Sequence, residues 1–238
     1  MAIEITALRK RFGKLEVLRG IDLTVGPGRV TAIVGPNAAG KTTLIKAILG
    51  LVRLGRSDGQ VRVDGVAIDR SPEYRERIGY MPQAARFPDH LTGREILTFL
   101  QRLRGRPTDV DLGLVAQLDL ERHLDQRIRE LSGGTRQKLN AVVALMFRPS
   151  ILILDEPTAG LDPRASAIFK DKVLKAVLGG ATVLLTSHIV SELEDLAQDI
   201  VFLVEGQIEF HGSIADLVAA AGESKLERAL ARMLEGRA

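Results

Sequence analysis

The residues best suited to chemistry stand together at positions 35–43: Gly35, Pro36, Asn37, Ala38, Ala39, Gly40, Lys41, Thr42 and Thr43. They fit G-x-x-x-x-G-K-[ST], and their surroundings suit that pattern. The preceding Val30-Thr31-Ala32-Ile33-Val34 is short, apolar and β-branched, as a buried strand requires. The following Leu44-Ile45-Lys46-Ala47-Ile48-Leu49 has helical composition. Backbone N–H groups of such a loop converge into a concave anion site, and the first turn of the next helix adds unpaired N–H groups and a positive dipole end. Lys41 is expected to reach the β- and γ-phosphates, and Thr42 to ligate Mg²⁺. Further on, Asp155 and Glu156 close the apolar run Ile151-Leu152-Ile153-Leu154. Ionised carboxylates there resist desolvation unless a cation or a reaction uses their charge. Alone, the pair could cap a strand at the surface. Behind a phosphate loop, Asp155 reads as a Mg²⁺ partner through water and Glu156 as the group that polarises an attacking water. These residues predict a nucleoside triphosphate site.

The elements that must position them follow from patterning. Residues 3–8, 16–18 and 21–25 alternate like strands of a small antiparallel layer, with Gly26-Pro27-Gly28 as a turn. Residues 60–64 and 78–81 read as further strands. From 87 to about 147 the character is helical: Thr92-Gly93-Arg94-Glu95 has the form of a capping box, a second helix is expected over 110–118, and a third starts at Ser132. The 151–155 run reads as a central parallel strand buried on both faces. Asp162-Pro163 predicts an N-cap and first helical position, opening a helix to about 178. Strands are expected over 181–186 and 200–204, with a helix near 190–197 between them and closing helices over 213–221 and 224–234. The organisation expected is a single domain over 1–238: a core of 1–84 and 150–220, a helical subdomain over 85–149, and a short C-terminal helix over 221–238.

Bulk properties bound the reading. The 238 residues are 45% apolar and 26% charged, ordinary for a globular chain that buries a sizeable core. A net charge of +3 is too small to imply nucleic acid as a partner. The lack of cysteine excludes disulfides, thiolate metal sites and cysteine nucleophiles. The start lacks the apolar core of a signal peptide. No apolar run reaches the roughly 18 residues of a membrane span, and the longest, 141–154, is broken by Arg148-Pro149-Ser150. A role at a membrane would need spanning helices from another chain.

Leu131-Ser132-Gly133-Gly134-Thr135, the 151–157 stretch, Ala159-Gly160-Leu161-Asp162 and Ser187-His188 follow the phosphate loop in an order and spacing that resembles ABC-transporter ATPase subunits, over residues 3 to about 217. The resemblance implies an α/β phosphate-loop NTPase core with an antiparallel β layer and an inserted α-helical subdomain. It also implies ATP hydrolysis with Mg²⁺ as cofactor. Ser132-Gly133-Gly134 at a helix start is itself a second anion site. In the family it covers the γ-phosphate on a second copy, so a head-to-tail dimer is expected, with two sites at a two-fold interface. Asp162 resembles the residue that communicates across that dimer. Phe12 resembles the aromatic that stacks on adenine, with Val17 nearby. Gln83 resembles the glutamine that senses Mg²⁺ and the γ-phosphate, and His188 the histidine that holds the γ-phosphate. Metal contacts therefore fall to Thr42, Gln83 and Asp155, and catalysis to Lys41, Gln83, Glu156 and His188. Two positions depart from the family. Ala38 stands where many relatives have glycine, and because alanine disfavours positive φ it is expected right-handed or extended. Thr135 replaces the common glutamine.

The expected role is to power separate transmembrane permease subunits from the cytoplasmic face of the membrane. An assembly ATPase of the iron–sulfur type, or a DNA- or ribosome-associated one, is the alternative; the short 83–131 segment and single cassette rank the DNA- or ribosome-associated reading lower, and isolation with or without a membrane subunit decides the assembly one. The 81–88 and 91–95 stretches resemble exporter-type ATPases. With 131–138 they are most similar to the ATPase of the copper-linked complex that matures nitrous oxide reductase. The chain's own four histidines and four methionines form no metal cluster pattern.

Overall fold

In chain order the computed structural model contains β1 (Ile3–Phe12), β2 (Leu15–Val25), β3 (Val30–Val34), α1 (Lys41–Ile48), β4 (Gln60–Val63), β5 (Val66–Ala67), β6 (Ile78–Met81), α2 (Gly93–Leu103), α3 (Gly113–Gln117), α4 (Gly133–Leu145), β7 (Ile151–Asp155), α5 (Pro163–Leu178), β8 (Thr182–Thr186), α6 (Val190–Leu196), β9 (Asp199–Val204), β10 (Gln207–Ser213), α7 (Ile214–Ala220) and α8 (Leu226–Glu235). The structure describes residues 2–55, 57–68, 72–105 and 110–235. The end of the expected C-terminal helix, 236–238, lies outside them. The chain forms two compact units, Met1–Tyr74 with Thr182–Ala238, and Arg75–Ala181.

In the first unit, β2-β1-β4-β5 form an antiparallel sheet, and β10-β9-β3-β8 a second group with β3 parallel to both β8 and β9. The α/β class expected from the sequence is what forms. Every residue of β3 and β8 is buried, which removes the alternation that a half-exposed strand would show. Three expectations need correction here. The segments 16–18 and 21–25 are one strand, because register shifts in its pairing with β1 absorb the irregularity around Gly20. β1 also runs past residue 8 to Phe12. Strands β5 and β10 were not expected; β5 pairs antiparallel with β4 and β10 with β9, tertiary contacts with little local signal.

In the second unit, β6 and β7 run parallel with Met81 beside Leu154. Helix α2 begins as the sequence predicts: Thr92 caps it, and Glu95 accepts from the Thr92 N–H at 2.8 Å while its own N–H donates back to Thr92 Oγ1 at 3.2 Å. The second expected helix is shorter than 110–118. The Asp111 carboxylate accepts from Gly113 N–H at 2.9 Å, pairs with Lys172 and thus fixes the entry as a loop. Lys172 and that N–H hold its carboxyl below the usual aspartate range. Helix α5 spans Pro163–Leu178, capped by Asp162, which accepts from Ala165 N–H at 2.8 Å.

Helix α4 packs on β6 at unusually short range because of Gly79. A Cβ there would meet the Ala144 carbonyl oxygen at 2.1 Å and a Pro149 carbon at 2.7 Å. Backbone cannot yield as a side-chain tip does, so Gly79→Ala would force α4 off the strand. Overpacking costs about 1–3 kcal/mol, and Gly79→Ala is expected at or above the upper end. Denaturant unfolding checks this; an unchanged midpoint would show that α4 does not need the glycine.

Candidate functional site

The phosphate loop emerges from the buried end of β3. Gly35 takes φ 151°, and a Cβ there would lie 1.9 Å from the Leu203 carbonyl oxygen. Only glycine lets the loop start against that strand. The turn closes through Ala39 N–H donating to Pro36 O at 3.2 Å. Ala38, the third residue of that turn, has φ 64°. This overturns the right-handed or extended conformation expected for it. A four-residue turn with positive φ only at its third position is the geometry type II turns demand. The hydrogen bond and the anchored flanks hold alanine there against a cost of about 1–2 kcal/mol. The loop is anchored from behind as well. Gly206 N–H donates to Ala39 O at 2.9 Å, and Arg19 N–H to Gly206 O at 2.9 Å. Lys41 Nζ donates to the carbonyls of Gly35 at 2.6 Å and Pro36 at 3.0 Å, so its charge spans the loop. Gly40 precedes α1, whose first turn has no side-chain cap and no acidic residue. Thr42 is exposed and Thr43 half-buried on that first turn.

His188 follows β8 and opens with Gly35, Pro36 and Asn37 onto one cavity of about 280 Å³, whose other walls are mostly apolar (Leu193, Phe202, Leu230 and Leu234 among them) and which Lys41 and Thr42 do not line. Its turn is held from below by Ser187 and by Glu192, the latter not singled out in the sequence. Ser187 Oγ donates to the Glu192 carboxylate and accepts from Ile189 N–H at 3.0 Å, with Ser187 and Glu192 both buried. The spacing Ser-x-x-x-x-Glu at a strand-to-helix turn was the available signal. Phe12, 49% exposed at the end of β1, has the Lys10 ammonium 5.7 Å from its ring centre. Val17 lies on β2, where its carbonyl oxygen would be 3.1 Å from a Cβ on Gly40. Val17 thus adjoins the loop, while Phe12 does not line the His188 cavity.

In the second unit, Asp155 ends β7 and Glu156 stands just beyond it; they are 7% and 8% exposed. Glu156 has φ 50°, a conformation that costs about 1–3 kcal/mol and recurs at functional sites. The neighbouring Tyr80 phenol is pushed up by burial and then by the Asp155 carboxylate. Gln83 is exposed just after β6. Ser132, Gly133 and Gly134 begin α4. Ser132 and Gly133 are exposed, and Ser132 Oγ accepts from Thr135 N–H at 3.1 Å and hydrogen-bonds Thr135 Oγ1 at 2.8 Å. Thr135 therefore secures the cap hydroxyl. A Cβ on Gly134 would sit 3.0 Å from Gly160 O, so this turn lies against the 158–161 turn. Asp162 pairs with Lys138 Nζ at 2.8 Å, and Lys138, then Ala165 N–H, holds its carboxyl below the usual range. The structure thus groups Asp155, Glu156, Gln83, Ser132, Gly133, Gly134 and Asp162 around β7 and α4.

A phosphate-loop nucleotide-binding protein is the class that this loop, its strand and its helix define. An ABC transporter family model matches residues 18–159. A daunorubicin resistance ATP-binding protein of Streptomyces coeruleorubidus is 36% identical over 243 residues, covering 98% of this chain and 74% of that protein. A Nod factor export ATP-binding protein I of Paraburkholderia xenovorans is 34% identical over 224 residues, covering 92% and 73%. The solved structure of an ATP-binding subunit of an ABC transporter shares the fold at a TM-score of 0.91 and 28% identity, covering 98% of this chain and all of that one. The chain belongs to the ABC transporter family, as one of its ATP-binding ATPase domains.

Gly35→Ala tests the loop. One lost hydrogen bond to a charged group is about 1.5–3 kcal/mol, so ATP affinity is expected to fall about tenfold or more, read with a fluorescent ATP analogue. Wild-type affinity in this variant would contradict the close approach to Leu203.

Proposed function

We propose that this chain hydrolyses Mg-ATP as the motor subunit of an exporter-type ABC transporter. It acts as a head-to-tail dimer on separate transmembrane permease subunits, at the cytoplasmic face of the membrane. The observation that best supports turnover is the Glu156 carboxylate, buried directly after β7 and held at φ 50°. No helix among the described residues is long and apolar enough to cross a membrane, so the reading assigns the spanning helices to other chains.

In this reading, loop N–H groups and the α1 N-terminus cradle the β- and γ-phosphates and Lys41 neutralises their charge. Phe12 stacks on adenine beside Val17. Thr42, Gln83 and Asp155 offer a hydroxyl, an amide oxygen and a carboxylate. Each is a hard oxygen donor of the kind Mg²⁺ takes alongside substrate phosphates. Bound with ATP, Mg²⁺ supplies charge neutralisation across the phosphate oxygens. Glu156 orients a water and accepts its proton, and His188 holds the γ-phosphate. Ser132, Gly133 and Gly134 of one copy cover the γ-phosphate on the other, with Asp162 beside them. Closure on ATP and opening after hydrolysis supply the differential contacts that move the permease.

Export is favoured by the relatives named for daunorubicin resistance and Nod factor export. The copper-linked maturation role is a narrower form of the proposal. It rests only on the resemblance of the 81–88, 91–95 and 131–138 stretches, and cargo choice is assigned to the membrane chains. Steady-state hydrolysis by the purified chain tests the core of the reading. A general base contributes about 10²–10⁴-fold, so Glu156→Gln is expected to lose activity on that scale while still binding ATP. Wild-type turnover in this variant would overturn the role of Glu156.

A further inference from the structure

Helix α4 buries Leu139, Ala141, Val142, Ala144 and Leu145, as an apolar face should, but it also buries Gln137 and Asn140, at 6% and 2% exposure. A buried amide is costly unless its hydrogen bonds are made, and an aliphatic side chain would fill the same space without that cost. The partners of these two are therefore informative. Asn140 Nδ2 donates to the Pro82 carbonyl at 2.9 Å and to Gln137 Oε1 at 3.3 Å. Gln137 Nε2 donates to the Pro157 carbonyl at 3.3 Å. Spaced three apart, the two amides are neighbours on one helix face and form a continuous bridge. Its ends fall beside chemistry: the Pro82 carbonyl belongs to the peptide directly before Gln83, and Pro157 is the residue directly after Glu156.

Both carbonyls lie just beyond their strands, β6 and β7, where ladder pairing has ended and the chain must be held by something else. The same helix begins with Ser132, Gly133 and Gly134, and its Lys138 is paired to Asp162. One rigid element therefore grips the segments that carry Gln83, Glu156 and Asp162, and presents the second anion site at its tip.

We propose that Gln137 and Asn140 are positioning residues for hydrolysis: their amide bridge fixes Gln83 and Glu156 in register with α4, so that displacement of the Ser132–Gly134 tip is felt at both. The proposal deepens the ATPase reading and rests on it. Neither side chain touches nucleotide. Their effect is on the placement of the residues that do, where an ångström of error can cost about a hundredfold.

The test is steady-state ATP hydrolysis by the full chain with Asn140→Leu, Gln137→Met, the double variant and Gln137→Glu, alongside thermal unfolding of each. The apolar variants keep the volume and remove the bridge. The expected result is a fall in kcat of about tenfold or more with KM for ATP within about twofold, because neither amide belongs to the phosphate loop. The double variant should be little worse than either single one, since each breaks the same bridge. Gln137→Glu supplies a readout that packing alone would not move. A protonated carboxyl can donate to the Pro157 carbonyl and an ionised one cannot, and burial raises a carboxyl pKa. Its activity relative to wild type should therefore rise as pH falls from about 8.5 to about 6, while the ratio for Gln137→Met stays flat. Unchanged kcat in the apolar variants, losses that merely track unfolding at the assay temperature, or a flat ratio for Gln137→Glu would each overturn the proposal. Absence of turnover in the wild-type chain would instead overturn the ATPase reading, and this one with it.

Discussion

Charge cannot be kept inside strands that are buried from end to end, and the placement of the phosphate loop, His188, Asp155 and Glu156 follows from that. All residues of β3, β7 and β8 are buried. An ionised group in their interior would lose hydration without recompense. Polar chemistry therefore begins where each strand stops. Gly35 follows Val34, Ser187 and His188 follow Thr186, and Asp155 is the last residue of its strand with Glu156 next. This is the general rule of open α/β sheets, in which ligands bind beyond the carboxyl ends of the strands. Here it arises from the cost of desolvation.

Leaving such a strand requires abrupt turns, and the backbone shows where. Gly35, Ala38 and Glu156 all have positive φ. At Gly35 the absence of a side chain solves the problem outright. At Ala38 and Glu156 it is met by closing hydrogen bonds, Ala39 N–H to Pro36 O at 3.2 Å and Ala159 N–H to Glu156 O at 3.2 Å. Strain of this kind persists only where neighbours over-determine the conformation. The Gly206–Ala39 bond in the first unit and the amide bridge from α4 in the second are such neighbours.

Features carried by local chemistry were legible in the sequence. Strand β7 and helix α5 have the bounds that an apolar run and an Asp-Pro start predict, and the capping box at Thr92 is present bond for bond. What was not legible depends on distant partners. β10 alternates half-buried and exposed residues and is made a strand by β9. The two halves of β2 are joined by pairing with β1. Ala38 looked unsuited to positive φ because propensity does not know which hydrogen bond will hold it. The identity of the phosphate loop could be read from residues alone, whereas the roles given to Phe12, Gln83, Asp162 and His188 came from family resemblance. Gln137, Asn140 and Glu192 escaped notice because buried polar groups look like surface ones until their burial is known.

The central claim is that a working site takes its loop from one copy and its second anion site, at Ser132, Gly133 and Gly134, from another. The most direct measurement is ATP turnover by the purified chain as a function of its own concentration. The account predicts activity that rises more steeply than linearly until the dimer is saturated. Strictly linear activity at every concentration, with Glu156→Gln remaining monomeric in ATP, would contradict it and mean that the site is complete within one chain or needs a different partner chain.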